Sequence, residues 1–157
     1  MLRLVRRITM GVSSEEVALA RRLGYAGYLD YQLRASSIDD SAIEELIATR
    51  LPMTQMPLAT LATQNGNEVN SQLADATWYR AAFAKAQLRE RMVEFWTDHF
   101  TISLNKVGYL KLVDDRDVIR ANALGTFPEL LRATSQSPAM LRYLDQNLSR
   151  TPTPNQN

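Results

Sequence analysis

No cysteine occurs among the 157 residues. Its absence excludes a disulfide framework, a thiolate metal site and a cysteine nucleophile. A single histidine, His99, removes every chemical scheme that needs two. Neither sign of charge is in surplus: 18 Lys and Arg against 17 Asp and Glu leave a net charge of +1. That balance offers no global attraction to nucleic acid or to an anionic membrane. No apolar run approaches the roughly eighteen residues of a membrane span. The basic opening Arg3, Arg6 and Arg7 is followed by Gly11, Ser13, Ser14, Glu15 and Glu16, not by the apolar stretch of an export signal. The expectations are therefore no membrane span, no nucleic-acid partner, and a cytoplasmic chain or a mature or truncated piece of an exported one. Also missing are a Gly-rich phosphate loop, H-E-x-x-H and G-x-S-x-G.

What is present is helical punctuation. Ser13 with Glu16, Ser41 with Glu44 and Thr126 with Glu129 have capping-box spacing, and Ser137-Pro138 opens a helix by the same logic. Gly24 and Gly125 suit helix stops. Residues 51–71, interrupted by Pro52 and Pro57, read as an irregular connection. Residues 101–112 have room for a short extended piece. Asp114, Asp115 and Asp117 read as negative charge at a helix start, where the dipole favours it. The strongest helix is expected from about Ala76 to Phe100, rich in helix formers and free of Gly and Pro. Leu88, Met92, Phe95 and His99 fall on one face of it. The fold class is all-α: an irregular multi-helix globule of about seven to nine helices. A single helical domain is expected over residues 1–150, with an irregular tail over residues 151–157.

His99 is the residue suited to proton transfer near neutral pH. It is a candidate general acid or base, or one ligand of a metal site completed by carboxylates. The alternative is a partly buried histidine whose ring nitrogens bond the terminal carbonyls of its own helix. Asp98 stands beside it as a candidate orienting group, and Trp96 as a candidate contact. Asp145 and Asn147 near the last helix offer polar ligands, or simply organise a turn. Arg120 is a candidate binding residue or a member of a buried ion pair. Fifteen of the eighteen basic residues are arginine, suited to carboxylate and phosphate pairing.

Three stretches together resemble a known bacterial family, domain of unknown function 1800. Leu4-Val5-Arg6-Arg7-Ile8-Thr9-Met10-Gly11 is similar to its opening L-L-R-R-x-T-F-G. Arg91-Met92-Val93-Glu94-Phe95-Trp96-Thr97-Asp98-His99-Phe100-Thr101 resembles R-M-V-x-F-W-x-N-H-F-T, with Asp98 in place of the usual Asn. Arg120 to Phe127 and Pro138 to Asp145 resemble R-x-x-A-L-G-x-F and P-A-M-L-x-Y-L-D. The family's next signature begins P-N-E-N, and here Pro154-Asn155-Gln156-Asn157 closes the chain. The resemblance implies an N-terminal segment of a longer protein. It implies no settled activity and leaves any cofactor unknown. Relatives often look exported and neighbour genes for phosphatase-like exported proteins. That suggests a helical scaffold or binding module working with such a partner at the cell envelope. The competing expectation is part of a hydrolase or metal-dependent enzyme. Its site would gather His99 and Asp145 with Asn155 and Asn157, completed by downstream acidic residues.

Overall fold

The computed structural model describes residues 1–155. The chain is all-α, with no strand among the described residues. Helix α1 (Leu2–Ile8) buries Leu4 and Val5 against α2 (Ser14–Leu33). Ser13 caps α2 as expected, its Oγ accepting the N–H of Glu16 at 3.0 Å. The Glu16 side chain does not close the capping box. It accepts instead from the Tyr28 hydroxyl and from Gln32. Gly24 kinks α2 with φ 72° and ψ 175°, a conformation open essentially to glycine alone.

Helix α3 (Ser41–Arg50) begins differently from its sequence signal. Asp40 occupies the cap position, Ser41 is already helical, and the Ser41 hydroxyl donates to Asp39. Glu44 is thereby left available for Arg80. The stretch after Leu51 holds a tight helical turn (Pro52–Gln55) and the one-turn α4 (Leu58–Leu61), so the connection is irregular but folded. Asn65 then caps α5 (Gly66–Phe83) by accepting from the N–H groups of Asn67 and Glu68.

The single helix expected near 76–100 is in fact two: α5 ends at Phe83, and α6 runs Gln87–His99. Local propensity favours continuity here, and tertiary hydrogen bonds overrule it. Asp40 takes the backbone N–H of Lys85 on one carboxylate oxygen and that of Ala86 on the other, at 2.6 and 3.2 Å. Gln32 accepts the N–H of Leu88 at 3.1 Å, and Gln87 donates to the carbonyls of Ala81 and Ala84. Ala84 turns to an extended ψ of 141° in consequence.

No extended piece forms after Thr101. The one-turn α7 (Leu104–Val107) leads through Gly108, at φ 60°, into α8 (Leu110–Val113). A π-helical turn (Asp114–Ile119) and α9 (Arg120–Asn122) continue directly from it. The three aspartates therefore lie inside a helical run, not at its start, and Asp114 and Asp115 are buried. Asp114 accepts from the Ser137 hydroxyl at 2.6 Å, which ties this run to the following helices. Those are α10 (Phe127–Gln136) and α11 (Pro138–Tyr143), the latter capped by Ser137. Helix α11 stops before Asp145, which adopts a left-handed φ of 59°. Thr126 hydrogen-bonds the Glu129 side chain but no backbone N–H. No helix among the described residues is long and apolar enough to cross a membrane.

Candidate functional site

The signature stretch of α6 puts its apolar and polar residues on faces that its periodicity does not reveal. Gln87, Leu88, Glu90 and Val93 are the buried positions. Phe95 and His99, placed on one face with Leu88 by their spacing, are exposed. Val93 packs with Ile119, Ala123 and Leu130, and Trp96 and Phe100 lean on this cluster. The Trp96 indole N–H donates to the Ala123 carbonyl at 3.2 Å, which fixes the ring.

An aromatic face forms around that anchor. The His99 ring stacks near Phe95 (13° between planes, centroids 6.1 Å apart) and lies edge-on to Trp96 and Phe100. Phe127, at the start of α10, approaches Trp96 at 5.9 Å. Phe95 is 52% exposed and Phe127 50%. His99 makes no hydrogen bond or ion pair among the described residues, so it does not bond the carbonyls of its own helix. Asp98 is exposed, and its backbone carbonyl accepts from the Thr101 hydroxyl.

Asp145 lies elsewhere. It pairs with Lys106 at 2.8 Å, and the Lys106 ammonium stands 5.7 Å from the Tyr143 ring centroid. Asn155 folds back to the same end of the chain, its side-chain amide donating to the Leu144 carbonyl at 2.6 Å. Asn147 is exposed within the turn Gln146–Leu148. Asn157 falls outside the described residues. No hydrogen bond or ion pair among the described residues connects His99 with Asp145 or Asn155. No group of three or more His, Asp or Glu among them could hold a metal ion.

Arg120 belongs to a third place, a buried charge network at the π-helical turn. Its Nη2 reaches both oxygens of Glu90, at 2.5 and 2.6 Å. Arg80 holds Glu44 in a two-pronged pair at 2.8 and 2.7 Å. That pair keeps the Glu44 carboxyl below the usual carboxylate range. Arg89 lies 3.5 Å from both Asp40 and Glu90. Burial pushes the Asp115 carboxyl up, against the pull of Arg120, Arg80 and Lys111. Apart from Arg120, this network escapes sequence reading. Its pairs are 30 and 36 residues apart. The one legible signal is Glu90, a charged residue three positions from Gln87 and three from Val93, inside the buried stripe.

These features define an all-helical protein with an aromatic face and a buried arginine–carboxylate network. The chain matches over residues 3–157 the family described as "Protein of unknown function (DUF1800)", and it belongs to that family. No curated protein and no solved structure matches it.

Proposed function

We propose that this chain is a helical binding module that docks a protein partner at the bacterial envelope through its aromatic face. The observation that carries the reading is the cluster of Phe95, Trp96, His99 and Phe127, two of whose rings are half exposed although apolar neighbours surround them. Exposed contiguous apolar surface marks interaction sites, and Trp and other large aromatics dominate binding energy at such surfaces. Trp96 is already held by Ala123, so little side-chain freedom remains to be lost on binding. His99 sits in the same face as a polar contact.

The partner suggested by the family resemblance is a phosphatase-like exported protein encoded beside a family member. The test is purified binding of that protein to the wild-type chain and to Phe95→Ser and Phe127→Ser. Each substitution should weaken the complex by about 2 kcal/mol or more, some thirtyfold. Each should change stability by only about 1 kcal/mol or less. Equal affinity for wild type and both variants overturns the reading.

A further inference from the structure

The charge network opens onto a cavity of about 200 Å³, several times the roughly 30 Å³ that one water molecule occupies in the liquid. Four guanidinium groups line it, from Arg80, Arg89, Arg116 and Arg120, beside the carboxyls of Glu44 and Asp115. Not all of these groups are free. Arg80 and Glu44 engage each other. Arg116 is committed to Asp117 and to the carbonyls of Thr54 and Met56.

Three of the lining groups keep hydrogen-bonding capacity that the chain does not use. Arg120 uses only Nη2 on Glu90, and its Nε and Nη1 have no acceptor among the described residues. The buried Nε of Arg89 has no hydrogen-bond partner, and its nearest carboxylate oxygen, on Glu90, stands 3.5 Å away. The Asp115 carboxyl, also buried, accepts no hydrogen bond among the described residues. Arg89, Arg120 and Asp115 all line the cavity, so it presents donors and an acceptor that the chain itself does not hydrogen-bond. A guanidinium fork suits the paired oxygens of a carboxylate or phosphate. An ionised Asp115 would repel such a group, and burial favours its neutral form.

We propose that this cavity binds a small oxyanion bearing a hydroxyl, a hydroxy acid or a protonated phosphate. Its oxygens accept from Arg89 and Arg120, and its O–H meets Asp115. The π-helical turn brings Asp115 and Arg120 to the same wall, and π-turns within α-helices recur at functional sites. This site is separate from the aromatic face, so either assignment stands or falls without the other.

The test follows the arginine Nε–H signals of the whole chain by nuclear magnetic resonance. Inorganic phosphate, glycolate, acetate and chloride are each titrated at constant ionic strength. The Arg89 and Arg120 signals should shift saturably with phosphate or glycolate, and whichever binds identifies the source of the oxyanion. Acetate, lacking the hydroxyl, should bind about tenfold more weakly. Arg89→Gln should weaken the bound anion about tenfold or more while the chain stays folded. If that variant does not fold, the wild-type signals still decide. Equal response to acetate or chloride, no saturable shift with either probe, or undiminished binding by a folded Arg89→Gln overturns the proposal.

Discussion

Gln32 shows how much one uncharged side chain can organise. It is fully buried, donates to Glu16 and to the Lys85 carbonyl, and accepts the N–H of Leu88. Gln32→Ala leaves the Lys85 carbonyl and the Leu88 N–H without this partner, and each buried orphan costs about 1–3 kcal/mol. A loss of about 2–4 kcal/mol is expected in urea unfolding, and a loss below about 0.5 kcal/mol would remove Gln32 from this role. Glu90 and Arg120 present the charged version of the same problem. Their side chains are only 4% and 11% exposed, so neither charge is well solvated once its partner is gone. Glu90→Ala should cost about 3–5 kcal/mol, whereas replacing both residues by apolar ones of similar volume should recover most of it. A double variant as unstable as the single one would show that the pair contributes through something other than mutual neutralisation.

At the scale of elements, two glycines separate backbone strain from crowding. A Cβ at Gly24 or at Gly66 meets nothing within 4 Å, but only Gly24 has a positive φ. Gly24→Ala should destabilise by about 1–3 kcal/mol from conformation alone. Gly66→Ala, at the start of α5, should be neutral or stabilising by about 0.5 kcal/mol. Denaturation midpoints of the two variants moving in the same direction and by the same amount would contradict this assignment of the kink. The Gly24 break, the Ser13 cap and the Ser137-Pro138 start were all legible in the sequence, because each is decided within a few residues. The break at Ala84 was not. It depends on Asp40 and Gln32, which lie more than forty residues away and reach the backbone only once α2, α3 and α6 have packed. The aspartates of 114–117 misled for the same reason. Their negative charge looks like a helix start, whereas two of them are buried against Ser137, Lys111 and the arginine network. His99 and Trp96 are in ring contact on the signature helix, but nothing in their spacing distinguishes an inward face from an exposed aromatic one.

For the molecule as a whole, cohesion is shared between dispersed apolar clusters and the charge network between them. Ile43, Ile47 and Ala76 form one cluster, and Val93, Ile119 and Leu130 form another. The Arg80–Glu44 and Arg120–Glu90 pairs lie on the same helices and join α3 to α5 and α6 to α9. Stability should therefore depend on pH through two carboxyls of opposite sign. Glu44 is held below its ordinary value of 4.5, chiefly by the hydrogen-bonded Arg80, so its contribution is full above that pH. As pH falls through the lowered folded value, the contribution is lost. Asp115 is raised above its ordinary 3.8 by burial. The folded chain binds that proton more tightly than the unfolded chain, so Asp115 weakens the fold at neutral pH, and the weakening disappears as pH falls toward 3.8. Asp115→Asn should then raise the unfolding midpoint at pH 7, with an advantage that shrinks steadily on acidification. Glu44→Gln should lower the midpoint at pH 7 and blunt the acid limb below 4.5. Urea midpoints of wild type and both variants from pH 3 to pH 8 would test the two signs together. An Asp115→Asn chain less stable than wild type at neutral pH would mean that its attraction to Arg80 and Arg120 outweighs the cost of burying its charge.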